Sequence, residues 1–206
     1  MKTLLVTGPI GSGKSLAARV LADCGMPVYD SDAQAKKLYA RHPELIAQME
    51  AALGQNLRQD ASQDAADSED CAGLDKKKLA RILFDSPEAR RKVNALVHPL
   101  VIADFQQWAL AQKGPWAGME SALLLSPEAG ARLDCDAVLY VDAPLDVRLE
   151  RVIRRDACSR EQALARIRSQ QLSPEDPRVT QVLVNDGDAA AFEKQVKDYY
   201  TSLLDQ

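Results

Sequence analysis

Near its N-terminus the chain reads Gly8-Pro9-Ile10-Gly11-Ser12-Gly13-Lys14-Ser15, between an apolar run at residues 4–6 and a helix-forming segment at residues 16–22. This is the strand, G-x-x-x-x-G-K-S loop and helix of a phosphate-binding loop. Its glycines let the backbone N–H groups approach phosphate oxygens, and the helix start adds a positive dipole end. Lys14 can reach the β- and γ-phosphates, and the Ser15 hydroxyl can be a Mg²⁺ ligand. The loop predicts binding of a nucleoside triphosphate; the alternative is a glycine-rich turn without a ligand.

The composition restricts the class of protein. With 206 residues, 46% of them hydrophobic, the chain is long enough for one sizeable core or for a core with a smaller satellite. The formal net charge of −4 argues against nucleic-acid or membrane partners, which an excess of Lys and Arg usually meets. The four cysteines are scattered without a C-x-x-C pair, which favours a cytoplasmic protein with neither a zinc site nor a disulfide framework. No apolar run approaches the ~18 residues of a membrane span, and the chain enters a strand at once, so we expect neither a span nor a signal peptide.

Short apolar runs alternate with amphipathic segments along the chain, which predicts an α/β fold, a doubly wound parallel sheet. Strands are predicted at residues 2–7, 27–29, 116–125, 135–142 and 179–184. Helices are predicted at residues 16–22, 33–40, 43–53, 75–84, 144–155, 159–171 and 189–204, with one more starting at residues 85–88. Residues 54–73 are polar and acid-rich, so we expect a solvated, mobile loop there.

The second strand runs into Asp30-Ser31-Asp32. In a strand–helix–strand unit both strands end at the same edge of the sheet, so we expect this pair of carboxylates beside the phosphate loop. There Asp32 can accept the proton of an attacking hydroxyl. The alternative is that one of the two carboxylates only caps the helix predicted to begin near residue 33.

Two further sites have both a functional and a structural interpretation. His98-Pro99 falls inside a helical pattern, and because proline removes a backbone donor we expect a kink that exposes His98. His98 is then either a ligand contact or a packing residue at the helix break. Asp142 closes the fourth strand as the acid of a Walker B strand does, or else it caps the next helix.

The segment after the fourth strand is unusually basic. Arg151 and Arg155 are four residues apart and therefore share one helix face, which can clamp a triphosphate. A second basic helix begins at a capping box, Ser159 to Gln162, and the pair of helices is typical of a mobile lid. A solvated charged face is the alternative.

Taken in order, these segments resemble the dephospho-CoA kinase family over nearly the whole chain. The resemblance rests on the phosphate loop, Tyr29-Asp30-Ser31-Asp32, Asp75-Lys76-Lys77-Lys78-Leu79, Val93-Asn94-Ala95-Leu96-Val97-His98-Pro99-Leu100-Val101, the Arg151 to Arg155 helix with Gln170 beyond it, and Val182-Leu183-Val184-Asn185-Asp186-Gly187. The phosphate loop alone is generic; the Asn-x-x-x-His-Pro and Asn-x-Gly segments are more specific.

This resemblance implies ATP-dependent phosphorylation, with Mg²⁺, of the ribose 3′-hydroxyl of dephospho-CoA, the last step of coenzyme A synthesis. It implies a P-loop kinase-like nucleotide-binding core at residues 1–32 and 115–206, a lid at about residues 148–172, and a helical substrate domain at residues 33–114. Asp32, Lys14, Arg151 and Arg155 are then the expected catalytic residues, and Asp32 and His98 the expected substrate contacts. The expected ATP-binding residues are Gly8, Ile10, Gly11, Ser12, Gly13, Lys14, Ser15, Leu16 and Asn185, with Ser15 on the metal and Asn185 at the adenine end. We expect a monomer, with an oligomer left open.

The chain also departs from the family pattern. The family usually has Pro-Leu-Leu-x-Glu at the end of its third strand, where this chain has Ala122-Leu123-Leu124-Leu125-Ser126. Leu16 and Lys76 stand where Thr and Arg are common, and an Asp is missing around Thr180-Gln181. A shikimate-kinase-like enzyme is the nearest alternative, but this chain has no Gly-Gly pair. A P-loop nucleotide switch protein is the other, but no Asn-Lys-x-Asp segment occurs.

Overall fold

The computed structural model describes residues 1–58, 73–122, 124–126, 129–170 and 172–205. Its strands, β1 to β5 in chain order, are Lys2–Thr7, Val28–Asp30, Trp116–Glu120, Ala137–Asp142 and Gln181–Val184. They form one parallel sheet in the order β2-β3-β1-β4-β5. The predicted α/β fold with a five-stranded parallel sheet is therefore confirmed.

Eight helices occur among the described residues, and most begin at a recognisable signal. In chain order α1 to α8 are Lys14–Asp23, Ser31–Arg41, Pro43–Leu53, Lys76–Asp85, Pro87–Leu110, Leu145–Asp156, Arg160–Arg168 and Ala189–Leu204. Asp75 caps α4 by accepting from the N–H of Lys78, and the predicted capping box of Ser159 and Gln162 is present at α7. None of these helices has the length and apolar character needed to cross a bilayer.

The chain divides into two compact units. The first, which we call the core unit, consists of Met1–Asp30, Trp108–Ser126 and Asp134–Gln206. In it, apolar side chains of the central strands pack with α1 and α8, among them Val6, Leu21, Val141 and Phe192, all at most 2% exposed. The indole N–H of Trp116 donates to the carbonyl of Leu203 at 2.9 Å and ties α8 to β3.

The second unit, the helical unit, consists of Ser31–Gln107 and Pro127–Leu133. It holds α2, α3, α4 and most of α5. An ion pair of 2.7 Å joins Arg41 on α2 to Asp104 on α5. Arg58 and Leu74 form an antiparallel bridge. Most of the loop predicted at residues 54–73 lies between these two residues, and its residues 59–72 are outside the described ones.

The third strand is shorter than predicted. We expected it to run to Leu125, but it ends at Glu120. The reason is pairing: β2 contributes three residues and ends where Asp30 meets Glu120, and on the other side Val6 is the last residue of β1 paired with β3. The apolar residues beyond this point, such as Leu124, are buried without belonging to a strand.

The predicted exposure of His98 is wrong. Helix α5 continues through Pro99, and His98 is only 9% exposed. The segment around Gly130 packs against this part of the helix so closely that a Cβ atom on Gly130 would lie 2.7 Å from the Cα of Ala95. Because this segment covers the helix, His98 is buried.

Candidate active site

The phosphate loop connects β1 to α1 and is held close to its neighbours. Gly11 and Gly13 have φ angles of 81° and 98°, which favour glycine. A Cβ atom on Gly11 would lie 2.7 Å from the carbonyl oxygen of Arg148, and one on Gly13 would meet the Asn185 side chain. Both positions therefore need glycine for backbone conformation and for space.

Arg151 and Asn185 hold the outer side of the loop. The Arg151 guanidinium donates to the carbonyl oxygens of Gly11 at 3.2 Å and Ser12 at 3.3 Å, and to the side-chain oxygen of Asn185 at 2.8 Å. The Asn185 amide, 2% exposed, donates to the same Ser12 carbonyl at 2.9 Å. All three acceptors are uncharged, so these hydrogen bonds do not neutralise the positive charge of Arg151.

Two more side chains hold the loop at Ile10. Arg148 donates to the Ile10 carbonyl at 3.1 Å, and the Gln170 side-chain oxygen accepts from the Ile10 N–H at 2.6 Å. Together with Arg151 and Asn185 they form what we call the loop brace. Sequence reasoning placed none of the four in this role, because their contacts with the loop join residues 138 to 173 positions apart.

A cavity of about 280 Å³ lies along the loop. Its lining includes Lys14, Ser15 and three arginines, Arg151, Arg154 and Arg155. Burial lowers the pKa of Arg151, and the nearby charge of Arg154 lowers it further. The cavity therefore concentrates positive charge that an anion can neutralise, as a triphosphate does.

The structure brings Arg151 and Arg155 to this one cavity, although their hydrogen bonds differ. Arg155 donates to both carboxylate oxygens of Asp156, at 2.7 and 3.0 Å, and Arg166 donates to Asp156 at 2.6 Å. The bonds from Arg155 hold the pKa of Asp156 below its usual value, with a smaller contribution from Arg166. Asp156 thus connects the two basic helices α6 and α7.

Ser15 has a partner that sequence reasoning missed. Its hydroxyl donates to the carboxylate of Glu120, the last residue of β3, at 2.7 Å. The sequence analysis noted only that Ser126 stands where the family usually has Glu. A signal was available, because Glu120 closes the apolar run of β3 just as Asp142 closes that of β4.

Asp142 does not cap the helix that follows it. Its carboxylate accepts from the N–H of Ala143 at 2.9 Å, and the N-cap of α6 is Pro144. The capping interpretation is therefore wrong. The hydroxyl of Ser15 is paired with Glu120, on the opposite side of β1 from Asp142.

Two further residues from the sequence analysis, Leu16 and Asp30, lie in the core unit. Leu16 packs its side chain against the core of the core unit, and its N–H donates to the Gly13 carbonyl at 2.9 Å. Asp30 ends β2, which is separated from β1 by β3, so one strand lies between it and the strand that leads into the phosphate loop.

The helical unit contains the other two predicted site residues. Asp32 is exposed in the first turn of α2, which begins at Ser31, earlier than predicted. The Nδ1 atom of His98 contacts the carbonyl oxygen of Ala129 at 2.5 Å, so Nδ1 carries the hydrogen and Nε2 is the acceptor of the neutral ring. Burial lowers the pKa of His98, while the Ala129 carbonyl and the charge of Asp32 oppose this shift. The structure thus brings Asp32 and His98 within electrostatic reach.

Comparison with known proteins gives a consistent result. A family model described as dephospho-CoA kinase matches residues 3–191. A dephospho-CoA kinase of Bacteroides fragilis is 37% identical over 185 residues, which cover 89% of this chain and 84% of the relative. A solved crystal structure from Thermus thermophilus superposes with a TM-score of 0.74 at 32% identity, covering 98% of this chain and 97% of the other. A dephospho-CoA kinase from Campylobacter jejuni shares the fold, with a TM-score of 0.61 at 22% identity over 98% of this chain and 96% of the other.

Proposed function

The chain belongs to the dephospho-CoA kinase family, and from this premise we propose how its residues divide the work of the reaction. The activity is ATP-dependent phosphorylation of dephospho-CoA, at the 3′-hydroxyl of its ribose, to give coenzyme A and ADP. The observation that supports the assignment of residues most strongly is the cavity along the phosphate loop, with its lysine and three arginines.

ATP binds in that cavity through the phosphate loop. Backbone N–H groups of the loop and the Lys14 ammonium surround the phosphates, as in other P-loop enzymes. Arg155 and Arg151 neutralise the charge that develops on the transferred group, while Arg151 and Asn185 also hold the loop in shape. Asn185 lies at the adenine end of the site. Since this chemistry is mostly positioning and electrostatic stabilisation, a rigid loop is a direct contribution to rate.

Asp32 is the general base. It accepts the proton of the 3′-hydroxyl as that oxygen attacks the γ-phosphorus, and the bond from this phosphorus to the β–γ bridging oxygen breaks, leaving ADP. Support comes from its exposed position two residues beyond β2, at the carboxyl edge of the strands, where α/β proteins bind ligands. His98 belongs to the substrate side of the helical unit, and its neutral form presents Nε2 as an acceptor.

Mg²⁺ fits the donor atoms that are present. Ser15 is among the residues that line the phosphate cavity, and hydroxyl and carboxylate oxygens are the hard ligands that this cation prefers. When bound, Mg²⁺ neutralises phosphate charge.

The lid is the α6 and α7 pair of helices. The proposed location of the protein is the reducing cytoplasm, since Cys24, Cys135 and Cys158 are free thiols.

The experiment that tests this function offers the purified protein two donors and two acceptors. ATP and GTP are each combined with dephospho-CoA and with shikimate, and the products are identified by mass spectrometry. We expect coenzyme A from ATP and dephospho-CoA at a rate far above the other three combinations. Transfer to shikimate, or nucleotide hydrolysis without transfer to either acceptor, would contradict the proposal and favour the alternatives weighed above.

A further inference from the structure

We propose that Asp156 is a positioning residue of the lid: it holds the Arg155 guanidinium so that one edge stays free for the phosphates of ATP. Asp156 is the last residue of α6, and Arg155 beside it lines the cavity along the phosphate loop. Asp156 acts through Arg155 and does not itself contact ATP. The inference rests on the proposed function, in which Arg155 stabilises the transferred group.

The hydrogen bonds between the two side chains determine which edge of the guanidinium is occupied. Arg155 donates from Nε to one carboxylate oxygen of Asp156 at 2.7 Å and from Nη2 to the other at 3.0 Å. Two parallel bonds of this kind set both the plane and the direction of a guanidinium, which a single bond does not. Nη1 takes no part in them, so the edge formed by Nη1 and Nη2 remains for a second oxyanion.

Asp156 is itself held in place and is therefore a fixed acceptor. Its side chain is 17% exposed, against 61% for Arg155. Arg166 on α7 donates to the same carboxylate at 2.6 Å. The hydrogen bond from Arg155 is the largest cause that holds the pKa of Asp156 below its usual value, so the carboxylate stays ionised at neutral pH. A lone exposed ion pair orients a side chain weakly, but a bidentate pair within a network of charges orients it well.

The turn that follows Asp156 brings Arg166 back to it. Ala157 has a φ of 48° and a ψ of 40°, the left-handed region that side chains other than glycine rarely adopt. This conformation ends α6 directly after Asp156, and the N-cap of α7, Ser159, comes two residues later. Buried apolar side chains of the two helices pack together: Leu149, Val152, Ala163 and Ile167. The turn and this packing fix α7 against α6, and with it the acceptor that orients Arg155.

The charge of this cluster favours positioning over neutralisation. Asp156 is shared by Arg155 and Arg166, so the three side chains together keep a positive charge. An anion in the cavity therefore still meets a cationic lid. If Asp156 instead sequestered Arg155, removal of the carboxylate would free the guanidinium and strengthen ATP binding. The two roles predict changes of opposite sign in ATP affinity.

The test is a double-mutant cycle that combines Asp156→Asn with Arg155→Ala. Titration calorimetry gives the Kd for ATP without an acceptor, and steady-state kinetics give kcat/KM for ATP with dephospho-CoA. We expect Asp156→Asn to lower kcat/KM about tenfold and ATP affinity by a smaller factor, because an oriented guanidinium matters most once charge has moved onto the transferred group. In the Arg155→Ala background the same change should lower kcat/KM less than about twofold.

Controls separate positioning from a structural role. Asp198→Asn removes the carboxylate of an exposed ion pair on α8 and should leave kcat/KM and ATP affinity unchanged. In an Arg166→Ala background, Asp156→Asn should still lower kcat/KM several-fold, because Arg155 still depends on this acceptor. Melting temperatures show whether each variant folds. Asp156→Ser, with the same expected results, replaces Asp156→Asn in the cycle if the latter does not fold.

Three results would overturn the inference. The first is a higher kcat/KM or tighter ATP binding in Asp156→Asn, which would mean that Asp156 sequesters Arg155. The second is an equal loss with and without Arg155, which would make Asp156 a structural link between α6 and α7. The third is an unchanged kcat/KM. If wild type makes no coenzyme A, yet Asp156→Asn weakens ATP binding only where Arg155 is present, the proposed function fails while the positioning role stands.

Discussion

The phosphate loop is held from outside by the four side chains of the loop brace, whereas in the helical unit Asp32 is exposed in a first helical turn and His98 is buried within α5. The first arrangement fixes the shape of a cationic cavity before any ligand arrives. The second offers one solvent-facing carboxylate and one shielded imidazole. Variants of the loop and its brace should therefore change nucleotide binding, while variants of Asp32 should change turnover with little effect on ATP affinity.

Lys14→Ala should have the largest effect. It removes the point charge that reaches the phosphates in the ground state and in the transition state, so kcat/KM for ATP should fall about 10³-fold, and ATP affinity should fall with it. Steady-state kinetics and titration calorimetry measure both quantities. Lys113→Ala, on an exposed loop before β3, is the control and should leave both unchanged. If Lys14→Ala bound ATP normally, the cavity would not be the phosphate site.

Asp32→Asn should have the second-largest effect on activity. Loss of a general base lowers kcat on the order of 10²-fold, and the Kd for ATP should change little because Asp32 belongs to the other unit. Asp85→Asn, an exposed carboxylate at the end of α4, is the matched control. Wild-type turnover in Asp32→Asn would remove Asp32 from the mechanism.

Asn185→Ala tests the loop brace. The change leaves the Ser12 carbonyl and the Arg151 guanidinium each without one partner, a loss of about 1–3 kcal/mol. We expect kcat/KM for ATP to fall about tenfold. A double-mutant cycle with Arg151→Ala should show strong coupling in ATP affinity. A lower melting temperature with unchanged ATP affinity would mean that the brace stabilises only the fold.

His98→Asn should have the smallest effect, which is a change in how the free energy of unfolding depends on pH. Burial, the largest cause, lowers the pKa of His98 in the folded state below its unfolded value. The neutral ring therefore favours folding above the unfolded pKa, near 6.5, and this stability is lost as pH falls through the folded pKa. Chemical denaturation between pH 7.5 and 5 should show wild type losing more stability than His98→Asn, whose side-chain N–H can still donate to the Ala129 carbonyl. Equal slopes would contradict this account of His98.

Sequence patterns predicted the elements whose signals are local. The bounds of β1, α3 and α8 match their predictions, because a buried apolar run, a Pro start and a helical stripe each identify an element without its neighbours. The end of β3 was mispredicted because apolar residues continue after it, and only the pairing of β2 and β1 sets where the strand stops.

The candidate site likewise combines residues that local patterns predict with contacts that only the fold brings together. The phosphate loop and the Arg151 and Arg155 face were visible from spacing, and the structure brings them to one cavity. The loop brace contacts of Arg148 and Gln170, and the pairing of Ser15 with Glu120, depend on residues more than 100 positions apart. A local sequence pattern cannot predict such contacts, because they form only when the strands have taken their order in the sheet.

The most direct test of the central claim is the product balance of the wild-type protein. Phosphorus-31 NMR of a reaction with Mg-ATP and dephospho-CoA gives both the amount of ADP and the position of the new phosphate on the ribose. The account predicts one coenzyme A, phosphorylated at the 3′-oxygen, for each ADP formed. ADP formed without a phosphorylated ribose, or a phosphate on a different oxygen, would contradict it.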